Sequence, residues 1–317
     1  MRSRVIMLAA LVLAALSVVI AAGRFNYKFS PPPPVHASLK PSLAAYLGVY
    51  EPGTPASYEN VEAFAKAAGR QPNLVGYFSG WAEPFATAFA ETVRKHGSTP
   101  FVQIDPTGAS VASIAAGDYD DYLRSYAEAV RSFGKPVVIG FGHEMNAPWY
   151  MWGYGQVPPA TFVAAWRHLV TLFRQAGADN VTWLWTIQAD EQGTGPIKKW
   201  WPGPQYVTWV GIDGFYYSPA DTFSRVFGAT ISQVRGLTGQ PVLLSETAVG
   251  PGAKQFSNIS KLFKAVAADH TLGLVWFDIK QNDGPYHQNW RIEGNTQTQL
   301  EFRLAISQYL EPAPAGD

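Results

Sequence analysis

The sequence predicts an α/β protein, a single-domain (β/α)₈ barrel of the TIM type. After about Ser42, eight short runs of β-branched and aromatic residues recur along the chain, and alanine-rich segments with helical spacing separate them. Strands that alternate with helices in this way build a parallel sheet, and eight such units can close it into a barrel. Polar residues follow the ends of many of the runs, which is where this fold collects its functional groups.

The positions of the strands and helices follow from residue type and spacing. The predicted strands are Ala45–Tyr50, Leu74–Phe78, Pro100–Ile104, Val137–Phe141, Val181–Thr186, Trp209–Ile212, Val242–Ser245 and Leu272–Phe277. The predicted helices are Val61–Ala68, Pro84–His96, Tyr119–Phe133, Pro159–Gln175, Phe223–Arg235, Asn258–Asp269 and Thr298–Leu310. The stretch Asp190–Val207 is rich in glycine and proline, so it is predicted to be a long loop.

A doubly wound open sheet is the alternative fold. Such a sheet binds its ligand at one switch point, and its dinucleotide-binding form carries a G-x-G-x-x-G turn after the first strand. The sequence has no such turn there, and its polar residues follow many strands rather than one. The barrel is therefore favoured over the open sheet.

The composition narrows the class of function. The 317 residues carry no net formal charge and the sequence pI is close to 7.0, so nothing favours nucleic acid or an anionic surface as partner. The chain has no cysteine, which excludes disulfides, thiolate metal sites and a cysteine nucleophile. Aromatic residues reach 14%, which suits either a large core or a groove that stacks on ring-shaped ligands.

The first 42 residues are predicted to lie outside the folded domain. Arg2 and Arg4 precede an uncharged apolar run, and residues 1–23 are expected to be a signal peptide or a membrane anchor. Pro31–Pro34 stiffen a proline-rich linker over residues 24–42. The barrel then spans residues 43–312, and residues 313–317 form a tail. We expect a protein that is secreted or tethered to the outer face of the cell membrane.

The most informative stretch is Gly140–Gly153, where a buried-looking strand stops at His143 and Glu144. Glu246 ends the seventh predicted strand in the same way that Glu144 ends the fourth. In an eight-stranded barrel such carboxylates face each other across one cavity. One carboxylic acid can protonate a glycosidic oxygen while the other, ionised, attacks the anomeric carbon. A salt-bridge partner at the barrel rim is the structural alternative for either residue.

The neighbours of Glu144 fit a sugar site better than a metal site. His-Glu begins the zinc pattern H-E-x-x-H, but Ala147 stands where the second ligand should be, so no metal is predicted. The proposed chemistry also needs no cofactor. His143 is expected to hydrogen-bond the carboxylates or the substrate, unless it is a core histidine satisfied by the backbone. Trp149 and Trp152 offer flat faces for pyranose rings, or they pack the loop.

The segment His-Glu-Met-Asn-Ala-Pro-Trp-Tyr-Met-Trp at 143–152 resembles the signature of glycoside hydrolase family 26, best known for endo-β-1,4-mannanases. The similarity continues through Ala116–Arg124, Trp201–Gly203, Val210–Gly214, Leu244–Thr247 and Asn289–Arg291. The resemblance implies a retaining (β/α)₈ glycosidase, with Glu144 as acid/base and Glu246 as nucleophile.

The motif and the resemblance together suggest a set of substrate-binding residues. These are His143, Asn146, Trp149, Trp152, Tyr216 and Trp276. The resemblance implies that Asn146 orients the loop and that Trp276 stacks on the sugar under attack. It also implies a tyrosine after strand six that hydrogen-bonds the nucleophile. Phe215 stands where that tyrosine is often found, so Tyr216 is favoured for the role over Tyr217.

The expected activity is retaining, endo-acting hydrolysis of a β-linked polysaccharide, with β-1,4-mannan or glucomannan as the first expectation. Mixed-linkage β-1,3-1,4-glucan and β-1,3-xylan are alternative substrates for the same site. A non-hydrolytic surface carbohydrate-binding protein and an enzyme that transfers glycans are alternatives of another kind. The expected partner is the polysaccharide, with no nucleic acid, with a membrane only through the N-terminal anchor, and with the chain as a monomer.

Overall fold

Eight parallel strands close into a barrel in the computed structural model, which describes residues 39–190, 193–282 and 288–312. The strands are β1 Tyr46–Tyr50, β2 Leu74–Ser79, β3 Thr99–Ile104, β4 Val137–Phe141, β5 Val181–Gln188, β6 Trp209–Asp213, β7 Val242–Thr247 and β8 Gly273–Phe277. Each strand pairs with the next one along the chain, and β8 pairs with β1. The predicted (β/α)₈ barrel is confirmed, and every predicted strand lies within two residues of an observed one.

Helices follow the strands along the chain. They are α1 Glu59–Ala68, α2 Thr87–Lys95, α3 Val111–Ala116, α4 Asp120–Phe133, α5 Pro159–Gln175, α6 Ala229–Leu237, α7 Gln255–Ala268 and α8 Thr296–Tyr309. Helix α3 was not predicted, because six residues show too little periodicity to stand out. Its N-cap, Ser110, accepts a hydrogen bond from the Ser113 N–H. The described part of the predicted long loop contains two short 3₁₀ helices, Ile197–Trp200 and Pro204–Tyr206.

Alternation along the strands sorts the apolar side chains into two cores. One set fills the barrel interior, namely Tyr46, Tyr50, Leu74, Phe101, Val138, Leu184, Trp209, Leu243, Leu272 and Val275. The strand residues between them pack against the helices in a second, larger core. In β8, for example, Val275 faces the barrel interior while Trp276 faces the helices. The same alternation decides which side chains reach the cavity beyond the strand ends.

A glycine in β4, Gly140, has a buried polar side chain from β3 directly against it. A Cβ atom on Gly140 would lie 1.9 Å from Oε1 of Gln103, so no larger residue fits without displacing this amide. Gln103 is fully buried, and its Nε2 donates to Oγ1 of Thr186 at 2.9 Å. The chain therefore fills the space beside Gly140 with a polar side chain from β3.

The predicted segments at the two ends of the chain lie largely outside the described residues. Residues 1–38 include the whole expected leader and most of the linker, and residues 313–317 are the expected tail. Those domain boundaries and the expected export of the protein stay predictions. Among the described residues, no helix is both long enough and apolar enough to cross a membrane.

Candidate active site

The carboxyl ends of the strands surround a cavity of about 870 Å³. This volume falls in the range of small-molecule sites, roughly 300–1,000 Å³. Seven strands contribute lining residues at or just beyond their ends, namely Phe78, Asp105, Glu144, Gln188, Phe215, Glu246 and Phe277. Both carboxylates singled out in the sequence, Glu144 and Glu246, thus lie in one cavity.

A tight turn at the end of β4 presents Glu144. Gly142 and Glu144 both adopt φ of +53°, a left-handed conformation that is uncommon and strained for a residue with a side chain. The backbone N–H of Glu144 donates to the Thr186 carbonyl of β5 at 3.0 Å, which anchors the turn to the barrel. Strained backbone held by its surroundings is frequent at functional sites, and here it aims a carboxylate into the cavity.

Trp149 contacts the carboxylate of Glu144 directly. Its indole Nε1 donates to Oε2 of Glu144 at 2.6 Å. Trp149 is about half exposed (49%), so its ring also offers a flat apolar face to the cavity. One side chain therefore both orients Glu144 and adds aromatic surface.

An irregularity in β7 brings Glu246 into the cavity. Leu243 pairs with Gly211, but the next partner of Asp213 is Glu246, so β7 holds one extra residue at this point. A bulge of this kind re-aims the side chains that follow it. Ser245 and Glu246 can then both face inward, whereas strict alternation would send one of them toward the helices. Glu246 is buried, and its Oε1 has no hydrogen-bond partner among the described residues.

The electrostatic environment of Glu246 favours a proton. Burial raises its pKa to about 8, and the repulsion of Glu144 and Asp105 adds to the increase, while the charge of His143 lowers it. Two carboxyl groups that repel each other in one cavity hold a proton between them until the pH exceeds the higher of their shared pKa values. A site with one carboxyl protonated and one ionised is what general acid and nucleophile catalysis require.

Asp213 lies beside Glu246, as its partner on the neighbouring strand β6. It is fully buried, its Oδ1 accepts a hydrogen bond from Ser245 Oγ at 2.5 Å, and its Oδ2 has no partner among the described residues. Burial raises the pKa of Asp213 well above its ordinary value, and the negative charges of Glu246 and Glu144 raise it further. Burial and the neighbouring negative charges therefore both favour the protonated form of Asp213.

His143 is held between Asp105 and Tyr150. Its Nδ1 lies 2.8 Å from Oδ1 of Asp105, and its Nε2 lies 3.0 Å from the Tyr150 hydroxyl. Burial lowers the pKa of His143, but the attraction of Asp105 and a hydrogen bond to it outweigh burial, and the pKa rises to about 10. His143 is thus a buried cation at neutral pH, and both ring nitrogens donate. Neither a zinc ligand nor a histidine satisfied by backbone describes it.

Two of the expected substrate-binding residues, Trp276 and Tyr216, pack in the outer core and do not line the cavity. Trp276 is fully buried, its Nε1 donates to the Trp290 carbonyl, and its ring packs edge-on against Phe302. Tyr216 is also buried and packs in the outer core. Their neighbours Phe277, Phe215 and Tyr217 line the cavity instead. Strand alternation is the cause, because it turns adjacent side chains to opposite faces.

Two further expected residues support the loop after β4. The amide of Asn146 donates to the Gln188 carbonyl and accepts from the Gln188 N–H, each at 2.9 Å, which fixes the loop to β5. Asn146 is absent from the lining of the large cavity and instead borders a smaller one of about 270 Å³. Trp152 stacks on Tyr150 at 4.5 Å and donates to the His143 carbonyl, so only an edge of it reaches the cavity.

Two residues of the site, Asp105 and Tyr150, were not among the expected substrate-binding residues. Both contact His143 and line the cavity. Asp105 was visible in the sequence only as one of several polar residues directly after a strand. Tyr150 lies inside the motif, between Trp149 and Trp152, which were the aromatic residues expected to bind the sugar. Their importance follows from their contact with His143, which links β3, β4 and the loop.

The model of "Glycosyl hydrolase family 26" matches residues 109–300, which is more than half of the chain. The chain belongs to glycosyl hydrolase family 26. The matched segment includes Glu144 and Glu246, and it runs from the loop after β3 into α8.

Curated relatives in the same comparison carry several different names. "Endoglucanase H" of Acetivibrio thermocellus is 26% identical over 272 residues, covering 80% of this chain and 29% of the relative. "Beta-1,3-xylanase TXYA" of a Vibrio species is 27% identical over 113 residues, covering 35% of this chain and 23% of the relative. The chain thus spans less than a third of the length of these relatives.

Solved structures resemble the fold. A modular endo-β-1,4-mannanase from Cellulomonas fimi superposes with a TM-score of 0.67 at 16% identity, covering 86% of this chain and 73% of that one. At this level of identity, the similarity shows a shared barrel and says nothing more about substrate. The family 26 barrel and the predicted fold class therefore agree.

Proposed function

We propose that this chain is a retaining glycoside hydrolase that cleaves within a β-linked polysaccharide, with Glu144 as acid/base and Glu246 as nucleophile. The observation that carries the proposal is the placement of both carboxylates in one cavity, at the ends of β4 and β7. They stand in different surroundings, as two roles require. Glu144 accepts a hydrogen bond from Trp149, whereas Oε1 of Glu246 has no donor among the described residues.

The reaction proceeds in two displacements. In the first, Glu246 attacks the anomeric carbon and forms a glycosyl ester, while Glu144 transfers its proton to the departing glycosidic oxygen. In the second, Glu144 removes a proton from water, and the oxygen of that water attacks the anomeric carbon and releases Glu246. Each displacement inverts the anomeric centre, so the product keeps the β configuration. Glu144 begins and ends the cycle protonated.

His143 supports this cycle through its positive charge. As a buried cation it favours the ionised form of Glu246, which opposes the effect of burial. Its charge is maintained by Asp105 on one ring nitrogen, and Tyr150 lies against the other. We infer that His143 keeps one carboxyl of the pair ionised while the other retains the proton.

For the substrate we propose β-1,4-mannan or glucomannan. Trp149 and Tyr150 border the cavity together with Phe78, Phe215 and Phe277, and aromatic faces suit the C–H faces of successive pyranose rings. The fold is shared with the Cellulomonas fimi endo-β-1,4-mannanase, which supports this choice by analogy only.

A β-glucan is the second candidate substrate. The relative named "Endoglucanase H" matches 80% of this chain, whereas the one named "Beta-1,3-xylanase TXYA" matches 35% of it. β-Glucan differs from mannan at C2, and β-1,3-xylan differs from it in linkage and at C6. A panel of the three polymers therefore separates the candidate substrates.

The test of the activity is reducing-end release from mannan, glucomannan, mixed-linkage β-glucan and β-1,3-xylan, with proton NMR of the first products. We expect release from mannan or glucomannan, short oligosaccharides as early products, and β anomers before mutarotation. Release from β-glucan alone would replace the first substrate with the second. Initial α anomers would overturn the double displacement, and binding without release would favour a non-hydrolytic carbohydrate-binding protein.

The test of the residues uses Glu144→Ala and Glu246→Ala, with Glu128→Gln on the exposed face of α4 as control. Each active-site variant should lose roughly 10³-fold or more in kcat, since residues that act as a unit are each indispensable. Azide can occupy the space left by either carboxylate. On an aryl glycoside it should give a β-glycosyl azide with Glu144→Ala and an α-glycosyl azide with Glu246→Ala. The reverse outcome would exchange the two roles, and near-normal activity would refute them.

A further inference from the structure

A second group of carboxylates lies where the barrel closes, away from the proposed catalytic pair. Glu51, Asp278 and Glu293 each place a carboxylate oxygen within 4.8 Å of the other two. We call these three residues the seam cluster, because they join β1, β8 and the segment before α8. None of them lines the large cavity.

The strand register explains why two of these residues meet. β1 pairs with β8 up to Tyr50 opposite Phe277, and Asp278 N–H donates to the Tyr50 carbonyl. Glu51 directly follows the last residue of β1, and Asp278 directly follows the last residue of β8. Because Tyr50 and Phe277 point toward the barrel axis, Glu51 and Asp278 both turn outward. The third member arrives from the loop, where the N–H of Ile292 donates to Oδ1 of Asp278 at 2.9 Å.

The cluster is buried and short of positive partners. Glu51 is 3% exposed and Asp278 is fully buried. Both carboxylate oxygens of Glu51, Oδ2 of Asp278 and Oε1 of Glu293 have no hydrogen-bond partner among the described residues. Arg291 lies 3.4 Å from Glu293 and 3.9 Å from Asp278, and it is the cation paired with this group in the described part of the chain. One guanidinium can balance only one of three carboxylates, and burial raises the pKa of Glu51 to about 11, so without a bound cation the cluster favours holding protons.

We propose that the seam cluster is a binding site for a hard divalent cation, with Ca²⁺ as the preferred ion. Its donors are carboxylate oxygens alone, a set that suits Ca²⁺, Mg²⁺ or Mn²⁺ rather than zinc or copper. Oxygens bound to one Ca²⁺ lie about 2.3–2.6 Å from it, so they can be up to roughly 5 Å apart. The separation of at most 4.8 Å falls within that span. Mg²⁺ needs shorter bonds and stricter octahedral geometry.

The site would stabilise the wall of the neighbouring cavity. Asp278 directly follows Phe277. Glu293 lies three residues after Trp290, whose indole donates to Gln281. Phe277 and Gln281 both line the large cavity. A cation shared by β1, β8 and this segment would tie the last strand of the barrel to the chain that returns toward α8. The role is structural, so it does not depend on the proposed hydrolytic activity.

The first experiment measures thermal unfolding of the full chain after treatment with a chelator and dialysis. CaCl₂, MgCl₂ and NaCl are added at matched ionic strength. We expect Ca²⁺ to raise Tm by roughly 5 °C, with a rise that grows with the logarithm of the Ca²⁺ concentration above Kd, as binding to the folded state alone requires. NaCl should have no comparable effect, and Mg²⁺ a smaller one. Calorimetric titration should give one Ca²⁺ per chain. The same Tm with and without Ca²⁺ would overturn the proposal and leave shared protons as the occupants.

Matched variants assign the response to these residues. Glu51→Gln should lose the Ca²⁺-dependent rise in Tm, and in chelator it should be at least as stable as the wild type, because it replaces a buried carboxyl group that has no hydrogen-bond partner among the described residues with a neutral amide of the same size. Glu128→Gln, on the exposed face of α4, should keep the full response. If Glu51→Gln does not fold, the partly exposed Glu293→Gln takes its place. An undiminished response in both cluster variants would place the cation elsewhere and refute the site.

Tb³⁺ provides an independent readout, since it substitutes for Ca²⁺ and is excited by nearby indoles. Trp276 lies two residues before Asp278, and Trp290 lies three residues before Glu293. Excitation of tryptophan should therefore produce Tb³⁺ emission in the wild type, and Ca²⁺ should compete it away. The emission should be absent in Glu51→Gln. Equal emission in wild type and variant would contradict binding at the seam cluster.

Discussion

Replacing His143 with asparagine tests whether its charge controls the carboxyl pair. Asn is neutral at every pH, and its amide can still donate to Asp105 from nearly the position of Nδ1. Because His143 is a buried cation that lowers the pKa of Glu246, the variant should raise the pKa values of both carboxyls. We therefore expect the whole bell-shaped profile of kcat/KM to move to higher pH.

The size of the expected shift in the pH profile follows from the burial of the site. Nearby opposite charge shifts the pKa of a carboxyl by roughly 1–3 units. The pKa of Glu246 is about 8 with the cation in place, so it should rise to about 9 or beyond without it, and the acid limb, on which the nucleophile ionises, should move to higher pH. One unit corresponds to about 1.4 kcal/mol and a tenfold change in rate on a limb of the profile. Activity should thus fall at least tenfold on the acid limb of the profile and rise above that of the wild type on the alkaline limb.

The assay is kcat/KM from pH 4 to 10 on a soluble polysaccharide, with circular dichroism confirming the fold at each pH. Tyr150→Phe serves as the matched control, since it removes a contact with Nε2 but leaves the charge of His143. Its profile should keep its position. An equal loss at every pH in His143→Asn, with unmoved limbs, would show that His143 acts by contact with the sugar and would refute the electrostatic argument.

Stability provides a second measure of the same ion pair. The pKa of His143 is about 10 in the folded protein and 6.5 ordinarily, a raised value. Its stabilising effect is therefore fully present below pH 6.5 and is lost as the pH rises through 10. The Tm difference between wild type and His143→Asn should be largest at low pH, within the range where the protein stays folded, and should shrink toward pH 10. A difference that grows with pH would contradict the sign.

Three further changes separate catalytic from structural residues. Trp149→Phe removes the donor to Glu144, which should cost about 1–2 kcal/mol and lower kcat roughly tenfold in steady-state assays, with little change in Tm. Trp276→Phe should instead lower the free energy of unfolding by about 1–3 kcal/mol in a urea titration and leave kcat nearly unchanged, because Trp276 is buried and bonded to Trp290. Tyr217→Phe should lower kcat/KM, whereas Tyr216→Phe should not; the opposite result would restore the original assignment.

Much of the fold could be predicted because the barrel uses its strands in chain order. Each strand is a short run of β-branched and aromatic residues, and its neighbours in space are its neighbours in sequence. Once the runs are counted, the carboxyl ends of all of them must meet on one face. The positions of Glu144 and Glu246 in one cavity follow from that count. The six-residue helix α3 escaped prediction because it is too short to show a period.

The direction of each side chain was harder to predict, because a shift of one residue reverses it. Tyr216 and Tyr217 differ by one position, and only the continuing alternation beyond Asp213 shows which of them faces the cavity. Trp276 and Phe277 are the same case in β8. Trp276, the larger of the two, was expected to stack on the sugar, but the strand register places it against the helices.

The sequence by itself determined the strand count, the two carboxylates at strand ends and the resemblance to a glycosidase family, since these depend on local residue patterns. Only the tertiary structure decided the rest. The extra residue in β7 aims Glu246, the contact with Asp105 charges His143, and the seam cluster joins Glu51 to residues more than 200 positions away. These features arise from packing between distant segments, where burial and charge act together, and a linear pattern does not record which segments meet.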